Sequence, residues 1–494
     1  MVNIEKCFEG DNTVLRKREI LDTPYIRLYA LGLIVAFANT LFFANQIVAY
    51  SFVAFEVVIL IVNFIKKDVI SYLGHYILFC GLSLEFDSLV GGTIYSFKEF
   101  HVGGINLGVL ALVPVFLLSI NRVISVGTIK RESPSLAKFS YRYLIVIISS
   151  LLIGMILYAL NDNGVQQLGF GIIVEELYQR GFQPLLMIGT VIFAMQKDPD
   201  SIERLSKYLE VTLISVVFEM IISLLSGMQG IYGGVTTLLS SVNLRWVPLL
   251  LLFPLYDRYK GRMGIIIFGI IGMVLSLLFN ATGKMIIAYV LIPAIYIAFH
   301  IMRHEYKKVL LWIVIIPVFI FALFPVAAYL SDFSVLFNSK LNQVISLLSF
   351  FGRKTSMENM MTSPRTRIYE IWVTLQEYLL KPYLFPLGKG LGGTVFANQI
   401  PYDRSAYSEI EMNVGLVYNM HESFAKLFLS NGLYGVFFLL STVIHGLRKF
   451  SKSPWILIGV YWFALSFGYS ITMTSFGLGA LLYGIYECDR KDNA

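Results

Sequence analysis

Charge is scarce in this chain: 14% of its 494 residues are charged, against 56% hydrophobic and 15% aromatic. So few charges cannot cover a soluble domain of this size, and the mean hydropathy of +0.70 places the chain among polytopic membrane proteins. Cysteine is scarcer still. Cys7, Cys80 and Cys488 lie far apart, two in expected cytoplasmic tails and one in an apolar segment, which leaves neither a disulfide framework nor a metal motif. The first 24 residues, Lys6, Lys17 and Arg18 among them, contain no apolar core or small-residue cleavage site, so no signal peptide is expected. Repeats of about 20–50 residues, low-complexity tracts and a linker to a second domain are also missing.

What is there is apolar length. A hydrocarbon layer about 30 Å thick needs roughly 17–25 apolar residues per helix. On that criterion the chain is an all-α polytopic membrane protein with about 14 transmembrane helices. They are expected at 26–45, 48–65, 69–86, 103–121, 143–160, 182–196, 208–226, 246–257, 263–280, 284–302, 309–330, 424–446, 454–471 and 474–487. The domains follow: a cytoplasmic tail (1–25), a transmembrane core (26–330) of about 11 helices, a long helical external loop (331–423), C-terminal transmembrane helices (424–487) and a cytoplasmic tail (488–494). Lys66-Lys67, the group from Arg122 to Arg142, Lys197 to Lys207, Arg258 to Arg262, Arg303 to Lys308, Arg448 to Lys452 and Arg490-Lys491 all fall on one side of these spans. The positive-inside rule makes that side, and both termini, cytoplasmic. The net charge of +7 is then an orientation signal, and nucleic acid is not an expected partner.

The external side nevertheless carries cations: Arg180, Arg245, Arg353, Lys354, Arg365, Arg367, Lys381, Lys389 and Arg404, with Lys284 at the outer end of its helix. Most lie in the loop 331–423, whose length of about 90 residues implies a folded lid or cavity wall. Ser363-Pro364 reads as a helix start, Arg365 to Leu379 has helical periodicity with Tyr369, Trp372 and Gln376 on one face, and Lys381-Pro382 ends it. Gly388-Lys389-Gly390-Leu391-Gly392-Gly393 must be a tight, glycine-led turn.

At the end of this loop His421 opens an apolar helix. An imidazole where a water-filled loop meets a membrane span is a candidate catalytic base, the competing reading being a helix-terminal histidine bonded to backbone or headgroup. His75, His101, His300, His304 and His445 lack such surroundings and are expected to pack or sit at interfaces. Arg365 and Arg367, two apart, cannot share a helix face, so one is expected on phosphate and the other on an internal carboxylate. Arg245 and Lys284 are candidate diphosphate ligands, against the alternatives of headgroup anchoring and snorkelling. Arg180 is expected to bridge to Glu175 or Glu176. Glu56 and Glu219, mid-span, are read as protonated or hydrogen-bonded within the bundle. Gly432 and Gly435 are expected to allow close helix packing.

Arg367 ahead of Trp372, the Pro382–Gly393 segment with its Gly-Lys-Gly around Gly390, and His421 followed by Gly432 resemble the C-terminal signature of the O-antigen polymerase and ligase superfamily of bacterial envelope glycosyltransferases. The likeness covers about 365–440, with weaker agreement at Arg245 and at Thr282-Gly283-Lys284. The chain departs from the pattern at Glu422, at Gly283-Lys284 and in the spacing from Arg367 to Trp372. The resemblance implies a GT-C-like architecture and a polymerase joining undecaprenyl-diphosphate-linked oligosaccharides at the external face of the bacterial cytoplasmic membrane. It also implies His421 as base, Arg245, Lys284 and Arg365 or Arg367 on diphosphate, and Trp372, Gly390 and Gly432 in support. Neither cofactor nor metal is implied, since fixed cations can stabilise a diphosphate leaving group directly. The implied partners are the lipid-linked donor and acceptor, the bilayer and a chain-length regulator. A ligase acting on another acceptor is the nearest alternative. A lipid-linked oligosaccharide flippase is the rival from another class, disfavoured because transporters are usually built from internal repeats.

Overall fold

The computed structural model describes residues 23–41, 45–83, 88–89, 96–97, 100–102, 105–117, 133–161, 168–182, 201–227, 230–232, 235–237, 246–259, 261–279, 283–396, 409–418, 420, 423–466 and 475–493. Its main helices, in chain order, are α1 (Thr23–Leu41), α2 (Gln46–Ile65), α3 (Val69–Gly81), α4 (Pro134–Ala159), α5 (Gly171–Glu176), α6 (Ser201–Ser226), α7 (Met263–Phe279), α8 (Gly283–Met302), α9 (Tyr306–Phe333), α10 (Val335–Phe351), α11 (Thr362–Leu380), α12 (Ser423–Leu447), α13 (Pro454–Ser466) and α14 (Ser475–Asn493). Among the described residues five helices are long and apolar enough to cross a membrane, Gln46–Ile65, Pro134–Ala159, Glu203–Ser226, Met285–Met302 and Phe424–Leu447, and shorter apolar helices accompany them. The chain is thus a helical, membrane-embedded protein. The span expected at 182–196 lies almost wholly outside the described residues. The one expected at 246–257 is instead a short helix, Pro248–Leu252, followed by 3-10 turns at Phe253–Leu255 and Asp257–Tyr259. Pro254 within it lacks the amide that a continuing helix needs.

The chain divides into two compact units. The first comprises residues 1–108, 202–251 and 263–276, with α6 at its centre: Leu209, Val211, Leu213, Val216 and Val217 are buried. Glycines let neighbours close on it. A Cβ at Gly74 of α3 would fall inside the Tyr208 ring, and one at Gly272 of α7 would stand 2.5 Å from Val247 and 2.9 Å from Val217. Asp68 caps α3 through the Ser71 amide at 3.1 Å and pairs with Arg204 at 2.9 Å. Short strands complete the unit: Ser88–Leu89, Gly230–Tyr232 and Val235–Thr237 form one antiparallel sheet, with Leu89 opposite Gly230 and Tyr232 opposite Val235.

The second unit comprises residues 109–201, 252–262 and 277–494. Its tightest helix pair is α13 and α14, where a Cβ at Gly459 would meet the Leu481 backbone at 2.7 Å and one at Gly484 the Ile456 amide at 2.6 Å. The helix expected from Ser363-Pro364 is present as α11 and ends at Lys381, before Pro382. The strands Val395–Phe396 and Leu416–Val417 pair antiparallel, Val395 opposite Val417, and lead the chain back to α12.

Asp489, in the tail beyond the last expected span, ties three helices together. Its carboxylate accepts hydrogen bonds from Ser133 Oγ at 2.7 Å, the Ser135 amide at 3.1 Å and Lys449 Nζ at 3.1 Å. Burial pushes this carboxyl up, but the bonds from Ser133 and Lys449 outweigh it and hold it below the ordinary range. Burial likewise pushes Lys449 down, and Asp489 and Asp492 carry it above the ordinary lysine value. A depressed carboxylate contributes stability above its unfolded value that is lost as pH falls through the folded one. A raised lysine contributes stability below its unfolded value that is lost as pH rises through the folded one. The tie is therefore intact between about pH 4 and pH 10. Asp489→Ala should cost about 1.5–3 kcal/mol at pH 7, read as a lower thermal midpoint in detergent, with the gap to wild type closing below about pH 4.

Candidate functional site

A break in α12 organises the second unit. Gly432 takes φ 56° and ψ −149°, far from helical values, in the middle of an apolar span. In an unbroken helix the carbonyls of Leu429 and Ser430 would accept from the amides of Leu433 and Tyr434. Here all four groups are released, and in a membrane each must find another partner. The Pro382–Gly393 segment supplies them. The Lys389 and Gly390 amides donate to Leu429 and Ser430 at 2.8 and 3.0 Å, and the Phe385 and Pro386 carbonyls accept from Leu433 and Tyr434 at 3.0 and 3.1 Å. A further bond from the Leu391 amide to the Ser150 carbonyl, 2.9 Å, fastens the segment to α4.

This approach of backbone to backbone requires glycine. Gly388, Gly390 and Gly392 have φ values of 78°, 75° and 78°, the alternating left-handed positions of the expected turn. A Cβ at Gly388 would stand 2.5 Å from the Asn431 amide and one at Gly432 would stand 2.5 Å from the Phe385 carbonyl, while Gly390 and Gly154 of α4 are in direct backbone contact. Gly390 and Gly432, both expected to support the site, are thus brought together; Gly432 acts as a helix break where ordinary close packing was expected.

Buried charges brace the same junction. Lys426, on α12, forms an ion pair with Glu176 of α5 and donates to the Tyr418 carbonyl at 2.5 Å. Glu176 also accepts from the Gly392 amide at 2.8 Å. Arg180 lies in a π-helical turn, Leu177–Phe182, that continues α5. It approaches Glu176 at 3.8 Å, as expected, but its closer contacts are Ser430 Oγ at 2.6 Å and Asn431 Oδ1 at 3.2 Å. Asn431 in turn donates to the Val146 carbonyl at 3.1 Å. Lys389 pairs with Glu377 of α11 and bonds the Thr394 carbonyl at 2.7 Å, and the Tyr378 hydroxyl reaches the Leu429 carbonyl at 2.7 Å. These cations are committed to protein partners. Sequence reasoning passed over Lys426, although a lysine two residues inside an apolar span is the signal that could have found it.

Among the described residues of the loop expected to be external, cations on the α10–α11 hairpin are accessible. Arg365 donates to the Glu358 carbonyl at 2.6 Å. Arg367, on another face, acts through its charge on Lys340 of α10. Phe337 and Leu341 of α10 pack on Leu277, Leu278 and Ile286, two positions after Lys284 in the first turn of α8. Trp372 is 44% exposed on α11. The chain leading to His421 is anchored by Val417 and Met420, which pack with Val373, Ala425 and Leu429. His421 and Arg245 lie outside the described residues, as does the Lys284 side chain. Elsewhere His300 pairs with Glu305 at 2.7 Å and His75 bonds the Ser71 carbonyl at 2.6 Å, both structural roles. Glu56 and Glu219 are buried in the first unit.

No family model and no curated protein matches this chain. The reading of the site therefore rests on its own geometry and on the motif residues.

Two tests follow from the junction. Gly390→Ala and Gly432→Ala should each lose at least about 1–3 kcal/mol to backbone strain, visible as reduced yield and a lowered thermal midpoint, whereas Gly171→Ala, which meets open space, should change neither. Lys426→Met should cost about 3–5 kcal/mol by stranding buried Glu176, and Lys426→Met with Glu176→Gln should recover most of it. Strict additivity of the two substitutions in a thermal-stability cycle would show that the pair is uncoupled.

Proposed function

We propose that the protein is a glycosyltransferase that joins oligosaccharide repeat units carried on undecaprenyl diphosphate, at the external face of a bacterial cytoplasmic membrane. The observation that carries this reading is the junction itself. The motif's Gly-Lys-Gly turn inserts into the break of α12, the helix that follows His421 in the sequence, and Arg367 stands on the helix leading into that turn. The turn and the broken helix, far apart in sequence, share one backbone hydrogen-bond network, a rigid frame of the kind a catalytic site needs.

The chemistry suits the residue types. The acceptor hydroxyl attacks the anomeric carbon of the donor glycan while its proton passes to His421. The new C–O bond forms as the bond to the diphosphate breaks, and the lipid diphosphate leaves with the electron pair and with inversion at carbon. Negative charge grows on that leaving group, and preorganised guanidinium and ammonium groups stabilise it. The motif pattern favours Arg367 as the diphosphate ligand, with Arg365, Arg245 and Lys284 as further candidates. Arg180, Lys389 and Lys426 are excluded from this role by their buried partners.

The purified chain in nanodiscs, given the lipid-diphosphate repeat unit as sole substrate, should produce a ladder of longer glycans. His421→Ala should slow it by about 10²–10⁴-fold, and Arg367→Ala should reduce it more than Arg365→Ala. Transfer only when a foreign acceptor is added would make the protein a ligase, and an unchanged rate in His421→Ala would remove the histidine from the mechanism.

A further inference from the structure

We propose that α10 is an interfacial helix whose C-terminal half lies on the surface of a bilayer, with Leu348 and Phe351 among the acyl chains and Arg353 and Lys354 on anionic headgroups. The inference does not depend on the glycosyl-transfer reading. The sequence of α10 is two-faced. Phe337, Leu341, Val344, Leu348 and Phe351 recur at alternating steps of four and three, which places them on one face of the helix, while Asn338, Ser339, Asn342 and Ser346 fall on the other.

The apolar face changes its surroundings along its length. At the start it is packed: Phe337 is 4% exposed, and with Leu341 it meets Leu277, Leu278 and Ile286. Ser334 Oγ fastens this end, accepting from the Phe337 amide at 3.2 Å and donating to the Leu278 carbonyl at 2.9 Å. Further on, Leu341 and Val344 are half-buried, and Leu348 and Phe351 are 64% and 68% exposed. The same stripe starts inside the protein and runs out past it. Leu277 and Leu278 stand in the last turn of α7, an apolar helix, and Ile286 is the second residue of Met285–Met302, which is long and apolar enough to cross a membrane. The packed end of α10 thus sits at the ends of membrane helices, and a stripe that stays apolar beyond that level calls for an apolar medium beside it.

The charges agree with a lipid surface. The helix closes in a Schellman turn: the Arg353 amide donates to the Phe350 carbonyl at 2.9 Å and the Lys354 amide to the Ser349 carbonyl at 2.8 Å. Arg353 takes φ 56°, a position that glycine ordinarily fills. Two exposed cations are thereby fixed directly behind Phe351, and among the described residues neither forms an ion pair. Between 335 and 361 the chain carries Lys340, Arg353 and Lys354 against Glu358 alone. An apolar stripe that ends in unpaired cations is complementary to anionic lipid, whose acyl boundary takes the stripe and whose phosphates take the charges.

The test is photo-crosslinking of the full-length chain in nanodiscs of phosphatidylcholine and phosphatidylglycerol, with p-benzoylphenylalanine replacing either Leu348 or, on the polar face, Asn342. The probe at Leu348 should give lipid adducts, read by mass spectrometry, at least about fivefold above those at Asn342. Arg353→Glu combined with Lys354→Glu should lower that yield at least about threefold with an unchanged thermal midpoint, and nanodiscs of phosphatidylcholine alone should lower it similarly. Equal adducts at the two positions, or none at Leu348, would overturn the placement. A cross-linked dimer from Leu348 would assign the stripe to a second copy of the chain and overturn it as well. A yield indifferent to both the charge reversal and the lipid charge would overturn the headgroup contact.

Discussion

A membrane-spanning helix that stops being helical halfway must do something with four backbone groups that lipid cannot satisfy. At Gly432 the second unit resolves this by inserting the Pro382–Gly393 segment, whose amides and carbonyls stand in for the two missing helical bonds. The exchange obliges the segment to run against α12 at backbone distance, which is why Gly388, Gly390 and Gly432 carry no side chain. It also fixes the exit of α11 and, through the Leu391 bond to Ser150, the position of α4. The rest of the candidate site is built outward from these contacts.

The ion pairs around the junction follow from the same constraint. Buried pairs such as Lys426 with Glu176 and Lys389 with Glu377 add little net stability against well-packed apolar groups, but stranding one partner is costly. Their effect is to penalise any arrangement in which the loop is withdrawn, since Glu176 also holds the Gly392 amide and Lys389 also holds Thr394. Arg180 belongs to this brace, clamping Ser430 and Asn431 just before the break. Part of the positive charge on the expected external side is therefore locked to glutamates inside the unit.

Much of the helical framework was legible because periodicity and capping are local. The helix expected over Arg365–Leu379 is α11, extended by three residues at its start to Thr362, and Lys381-Pro382 ends it for a local reason. The turn at Gly388–Gly393 was readable from its glycines. The segment 246–257 was misleading because its composition is apolar while its prolines prevent a continuous helix. Lys426 was overlooked because it is hidden by its apolar neighbours. Arg365 and Arg367 could be separated to different faces from their spacing, but the contact of Arg365 with the Glu358 carbonyl depended on the loop 352–361.

By itself the sequence determined that the chain is helical and membrane-embedded, that α11 stops before Pro382, and that a glycine-rich turn follows it, because each depends on apolar length, local capping or glycine's access to positive φ. Only the tertiary structure decided that this turn fills a break at Gly432 and that Lys426, Lys389 and Arg180 face glutamates and backbone. Those outcomes are set by which backbone groups and charges meet across elements far apart in the chain, where the low-dielectric interior leaves no water to satisfy whatever is left unpaired.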